Sequence, residues 1–195
     1  QDKWRGTWKN DGGVLANQAS HHIDMLQWMM GEVETVFGMS STKLVNIEAE
    51  ETGIANLRFK NGALGIIEAT AATRPKDIEG SISIIGENGY VEIGGFAMNE
   101  IKNWEFKKSL ESDKEVINKY SVNPPNVYGF GHKEFYETVV NSLLGSSPNP
   151  VDGYSGRKSL EIINAIYESI ETNLPVNIGS KYNHSKLGKL KENGY

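Results

Sequence analysis

The 195-residue chain contains no cysteine. That excludes disulfides, thiolate nucleophiles and cysteine-ligated metals together, and it fits a reducing compartment such as the cytoplasm. Basic charge is also scarce: 20 Lys and Arg stand against 25 Asp and Glu, a net charge of −5. Nucleic acids and anionic membranes both need a basic surface, so neither is an expected partner. No apolar run reaches the roughly 20 residues of a membrane span, and no signal-peptide pattern opens the chain. There is no G-x-S-x-G elbow and no P-loop, and the glycine-rich "GFGHKE" at 129–134 does not follow a strand with fingerprint spacing. A nucleotide-binding motif is therefore lacking. No internal repeat or low-complexity segment occurs.

What is present describes an ordinary globular chain. Hydrophobic residues make up 38% and charged residues 23%, enough for one domain with a proper core or two small ones. The first residue is Gln1, not Met, and polar Trp-rich sequence follows at once. We expect a piece of a longer chain.

Periodicity changes twice along the sequence. Residues 14–30 repeat at helical spacing, after Asp11-Gly12-Gly13 and up to Gly31. From 33 to 108 the pattern is that of strands. Ala55, Leu57 and Phe59 alternate with Asn56 and Arg58, and Asn61-Gly62 is a type I′ hairpin signal. Asn88-Gly89 marks another turn. Two helices follow. One carries the stripe His132, Phe135, Tyr136, Val139, Val140 and Leu143. The other carries Leu160, Ile163, Ala165, Ile166 and Ile170, with Ser155 as candidate N-cap. The predicted class is α+β: a mainly antiparallel open sheet of about six strands with helices on one face. Residues 1–178 form the domain, and 179–195 a polar, lysine-bearing tail that reads as a solvated edge or frayed end.

On the 63–73 strand one side carries Leu64, Ile66, Glu68 and Thr70, the other Ala63, Gly65, Ile67, Ala69 and Ala71. The small, uncharged side is either the packing face for a second subunit or a face under a loop.

The stretch "NQASHHID" at 17–24 places two histidines side by side, about 100° apart on a helix. On a helical wheel Leu15, Ala19, Ile23, Leu26 and Met30 form an apolar arc with His22 at its border. His22 reads as a core-edge histidine bonded to a backbone carbonyl. His21 lies opposite with Asn17, Asp24 and Trp28. That arc holds hydrogen-bonding groups with Asp24 as the one formal charge of the segment, which suits a wet pocket better than open solvent. Asn17 and Asp24, four before and three after, can approach the imidazole. His21 is then a candidate general acid or base, or else a histidine in a satisfied polar network. As metal ligands His21 and Asp24 fall short, since an i,i+3 pair supplies two of the three or so that a catalytic zinc needs. No metal is expected.

The pattern "KWRGTWKNDGGVLANQASHHIDMLQWMMGEVETV" resembles the start of the C-terminal domain of the Gfo/Idh/MocA oxidoreductases, whose members read W-R-G, D-G-G-G and H-x-x-D-x-x-x-W-x-x-G. "YGFGHKEFYETVVNSLLG" and "PVDGYSGRKSLEIINAIYESIETNLPV" resemble the family's closing helices. The likeness runs from residue 3 to about 178. Within the family, W-R-G-T-W and N-Q-x-x-H look most like bacterial UDP-N-acetylhexosamine or hexosaminuronate 3-dehydrogenases.

This resemblance implies a glyceraldehyde-3-phosphate-dehydrogenase-like C-terminal domain that supplies a sugar pocket and a homo-oligomer interface through its open sheet. An N-terminal Rossmann domain, absent from this chain, would hold NAD or NADP and the catalytic lysine. It aligns His21 with the catalytic histidine and Asp24 with the aspartate of H-x-x-D. Asn17 falls where many members carry aspartate, so it could orient a hydroxyl but not deprotonate it. Trp4 and Arg5 would lie near the cofactor or a substrate phosphate, or at an interdomain contact. Trp8 could stack on a sugar or pack in the core. Arg74 and His132 are substrate-contact candidates, with surface ion pairing and core burial as the other readings. The chain alone is expected neither to hold the cofactor tightly nor to turn over. The competing reading is a non-catalytic sugar-binding or assembly module that kept the fold.

Overall fold

The computed structural model describes residues 3–96, 98–124, 129–148 and 151–189. The chain divides into two compact units, one built from its two ends (to Pro75 and from Gly153) and one from Lys76–Asp152.

In the first unit, α1 (Ser20–Met30) leads into β1 (Val33–Ser41), β2 (Thr52–Phe59) and β3 (Leu64–Thr70). After the second unit the chain returns as α4 (Gly153–Thr172) and the short β7 (Val176–Asn177). The four strands form one antiparallel sheet in the order β3-β2-β1-β7. Alternation drives the layer. Gly53, Ala55, Leu57 and Phe59 of β2 are buried, while Ile54, Asn56 and Arg58 between them are exposed. α4 packs on β1 and α1 on α4, burying Ile162, Ile163, Ala165, Ile166 and Tyr167 against Val36, Leu15 and Ile23. Gly38 and Gly53 permit this approach: a Cβ on Gly38 would lie 2.9 Å from Ile166, and one on Gly53 2.6 Å from Leu15.

The second unit holds the antiparallel sheet β4-β5-β6 (Ile82–Gly86, Gly89–Gly94, Glu100–Phe106) and the helices α2 (Asp113–Tyr120) and α3 (His132–Leu143). α2 packs on β6, fastened by Trp104 Nε1, which donates to Asp113 Oδ1 at 3.1 Å.

Several expectations change. The strands form sheets of four and three, seven in all among the described residues, instead of one sheet of about six. α2, eight residues long and with none of them buried, was not anticipated. The first helix begins at Ser20, not at 14, and Ser155 lies inside the first turn of α4. The Asn61-Gly62 hairpin is not type I′. Only Gly62 has positive φ (+88°), Gly62 N–H donates to Phe59 C=O and Phe59 N–H to Ala63 C=O, both at 2.9 Å. That is a three-residue loop closed by a glycine bulge.

The small face of β3 is also reassigned. Ala63, Ile67 and Ala69 belong to the core side, and Gly65 lies under the Phe59 ring. Small residues are needed there because Phe59 fills the space, so the small side is not the subunit-packing face. The open face instead carries Met39, Ile54, Leu64 and Ile66, the last two 70% and 72% exposed.

Residues 179–189 are not a frayed end. Glu168 Oε2 of α4 accepts the N–H groups of His184 (2.6 Å) and Ser185 (2.8 Å), Gly188 N–H donates to Trp8 C=O at 2.7 Å, and Leu187 packs on the core. Residues 190–195, with Lys191, lie outside the described residues.

Candidate active site

The turn that launches α1 hangs from side chains far along the chain. Three successive amides are held: Gly13 N–H by Tyr167 Oη (3.4 Å), Val14 N–H by Glu50 C=O (3.0 Å) and Leu15 N–H by Glu50 Oε1 (2.9 Å). Tyr167 O–H itself donates to Glu50 Oε1 at 2.8 Å. The turn's own carbonyls carry the structure onward. Gly13 C=O accepts Asn17 N–H at 3.0 Å, and Val14 C=O accepts Ala19 N–H at 2.9 Å. Gly12 takes φ +66°, and a Cβ on Gly13 would sit 2.2 Å from the Glu50 backbone oxygen and its carboxylate. Both glycines of the D-G-G stretch are therefore required by local geometry. Burial pushes the Glu50 carboxyl up from its usual range, outweighing the bonds from Leu15 and Tyr167. Burial, then the Glu50 charge, pushes the Tyr167 hydroxyl up as well.

Glu51, next along, behaves in the opposite way. Burial pushes its carboxyl up, but N–H groups of Leu44, Lys43 and Val45 and the charge of Arg74 pull it below the usual range. Its carboxylate closes the 43–45 turn and has no part in the α1 region.

On α1, His21, Asp24 and Trp28 form an exposed stripe, Trp28 at 78%. Within this unit the polar arc is open to solvent rather than enclosed. His22 is half-buried, and its Nε2 is buried without a partner. Desolvation, then the neighbouring His21, lowers its pKa, while a hydrogen bond with the Gln18 backbone opposes the shift. The reading of His22 as a core-edge group on a backbone carbonyl agrees with this. Asn17 does not turn to His21: its Nδ2 donates to Asp11 Oδ2 at 3.1 Å. The pair lines an open cavity of about 580 Å³ with Asn10, Asn164 and Leu187.

The other sequence candidates are scattered. Trp8 is half-buried and packs edge-on against Tyr167, ring centroids 5.1 Å apart, with Lys186 Nζ 5.9 Å from its ring centroid. Arg5 stacks over the exposed Trp4 ring at 5.2 Å. Arg74 is exposed, four residues past the end of β3, and donates to the Thr73 carbonyl at 2.8 Å. His132 opens α3, exposed, in the second unit. Asp11, Glu50 and Tyr167 were missed from sequence. The one available signal was the Gly12-Gly13 doublet, which marks a close approach but not what approaches.

Among the described residues no group of three His, Cys, Asp or Glu could hold a metal ion, and no helix is long and apolar enough to cross a membrane. The donor set meets a nicotinamide dinucleotide only in part. Trp4 and Arg5 present an aromatic face and a fork suited to phosphate. However, among the described residues no strand runs through a glycine-rich turn into a helix, the usual pyrophosphate cradle.

Comparison with known proteins follows the same line. The WlbA dehydrogenase of Bordetella pertussis, solved with NADH and UDP-GlcNAcA, superposes with a TM-score of 0.85 at 41% identity, over 92% of this chain and 52% of that one. WlbA of Chromobacterium violaceum, solved with the same two ligands, gives 0.83 at 42% identity over 93% and 50%. Myo-inositol 2-dehydrogenase of Thermotoga maritima is 27% identical over 166 residues, 82% of this chain and 47% of the relative. The chain thus spans about half the length of the relatives it matches. Residues 1–178 match the oxidoreductase family, C-terminal alpha/beta domain. With its open antiparallel sheet, covered on one side by α1 and α4, and the D-G-G turn before the histidine helix, the chain belongs to the Gfo/Idh/MocA oxidoreductase family.

Proposed function

We propose that this chain is the substrate-side and assembly half of an NAD(P)-dependent dehydrogenase acting on a nucleotide sugar, a UDP-linked N-acetylhexosamine or its uronate being the favoured class. The observation that carries the reading is His21: an imidazole exposed at the start of α1, on a turn held by buried side chains. Identity above 40% to two proteins solved with NADH and UDP-GlcNAcA supports the substrate class. A nicotinamide, when bound, accepts the hydride. This chain's task is the proton: His21 takes or relays the proton of the sugar hydroxyl as its carbon is oxidised. Asp24, one turn on, orients that imidazole. Asn17, held by Asp11, presents its remaining amide capacity to a hydroxyl. Trp4 and Arg5 face cofactor or substrate phosphate, and Arg74 and His132 remain contact candidates. A Rossmann domain outside this chain supplies the pyrophosphate cradle, and with no cysteine to oxidise the protein suits the cytoplasm.

The test is nicotinamide reduction by the whole protein, offered NAD or NADP with a panel of UDP-sugars. Turnover with a UDP-hexosamine or uronate supports the reading. Sugar binding without turnover would favour a non-catalytic binding or assembly module. Calorimetry on this 195-residue chain should find no micromolar NADH binding.

Assembly belongs to the same proposal. The outer sheet face, with Met39, Ile54, Leu64 and Ile66 exposed, suits a second copy because contiguous apolar surface favours association. Ile66→Arg should convert a dimer to a monomer by light scattering with the fold retained. A monomeric wild type would overturn this part.

A further inference from the structure

Resting on the reading of His21 above, we propose that Glu50 and Tyr167 are positioning residues for that histidine, joining α4 to the turn that launches α1. Their bonds are continuous. Tyr167 Oη receives Gly13 N–H and donates to Glu50 Oε1, the Glu50 carboxylate receives Leu15 N–H, and the Glu50 backbone receives Val14 N–H. From there the path is short. Gly13 and Val14 carbonyls hold Asn17 and Ala19, Ala19 C=O accepts Ile23 N–H at 2.9 Å, and His21 lies between those last two residues. Ala19, at the N-cap, offers no side-chain bond to the helix, so the origin of α1 depends on what holds the turn. Both positioning groups are themselves fixed. Glu50 is 2% and Tyr167 1% exposed, and Trp8 braces the Tyr167 ring edge-on. Gly13 leaves no slack, as any Cβ would strike Glu50.

One detail goes beyond plain packing. Donors from two elements, Leu15 N–H and Tyr167 O–H, converge on the single oxygen Oε1 of a buried carboxyl. Burying a carboxyl carries a desolvation cost that an apolar contact between the same elements would not. The arrangement makes sense where one oxygen must hold two donors from different elements at a set distance. Displacing a reacting group by about 1 Å costs on the order of 100-fold in rate, so slack here reaches the chemistry although neither side chain is exposed to it.

Two measurements test this, and they separate it from the parent reading. In the 195-residue chain, Tyr167→Phe should raise amide exchange of Leu15, Asn17 and Ala19 at least tenfold and increase backbone motion at His21, with β2 and β3 unchanged. Unaltered exchange and motion from 15 to 21 would overturn the proposal, whatever the enzyme does. In the whole protein, Tyr167→Phe and Glu50→Ala should lower kcat about tenfold and shift its pH profile, with KM for the nicotinamide cofactor unchanged. Glu50→Gln, which keeps an Oε1 acceptor for both donors, should restore kcat to within about threefold. Glu168→Gln serves as the control: it loosens the 184–185 segment and lowers Tm but leaves kcat alone. A kcat loss that merely follows the unfolded fraction, or full activity in Tyr167→Phe below its Tm, would also refute the positioning role. If the wild type turns over no sugar, the parent reading fails while the exchange result still decides whether this clamp holds His21.

Discussion

The two sides of α1 are built from one stretch of sequence but live in different media. His21, Asp24 and Trp28 face water, whereas one residue away from His21 the His22 ring is half-buried with an unpartnered nitrogen. Beneath that buried side, Leu15, Ala19 and Ile23 pack into the core and Glu50 grips the entering turn. The contrast teaches that adjacency in sequence says little about role on a helix, because a 100° step is enough to carry a side chain from solvent into the core.

Removing each histidine in turn separates the two sides of α1 most directly. In the whole protein His21→Ala should lower kcat by about 100-fold or more, the usual reach of a general acid–base group. Its Tm should hardly move, since exposed substitutions usually stay within about 0.5 kcal/mol. His22→Ala should do the reverse, costing about 1 kcal/mol, or roughly 2–4 °C in Tm for a chain this size. Equal kinetic and thermal losses from both would mean that the two sides are not separate.

Gly13→Ala probes the buried side without removing a polar side chain. Its new methyl would meet Glu50 at 2.2 Å, and overpacking of this kind costs about 1–3 kcal/mol, roughly 3–10 °C by thermal melting. A variant as stable as wild type would show that the turn can yield, and would weaken the positioning argument with it.

Smaller effects come from pH. His22, lowered by burial, is kept neutral in the fold, so its neighbourhood loses stability as pH falls below the unfolded value of 6.5 toward the folded one. His22→Gln should flatten Tm against pH in that range. Glu50 and Glu51 should oppose each other. The raised Glu50 favours its protonated form in the fold, so stability falls as pH climbs above 4.5 through the folded value. The lowered Glu51 contributes stability above 4.5 that is lost as pH falls through its folded value. The Tm difference of Glu50→Gln relative to wild type should therefore grow more favourable with rising pH. The deficit of Glu51→Gln should shrink in acid. Parallel trends would show that the two carboxyls do not occupy opposed environments.

Much of this protein could be read from residue order alone. Local periodicity is set by backbone geometry, so the apolar arc Leu15, Ala19, Ile23 and the β2 alternation appeared where the sequence put them. The separation of His21 from His22 followed from the same angle. Tertiary structure alone decided what lay across the chain. Alternation on β3 defined two sides but not which was inward. Phe59 over Gly65, together with the core packing around Ile67, made that choice. No local pattern in the "EAEE" run marks burial, yet Glu50 is buried because a tyrosine 117 positions away and the amide of Leu15 meet its oxygen. Such a carboxyl can leave water only when distant donors replace its hydration. Those donors are brought together by packing α1 and α4 over one sheet, which no local pattern encodes.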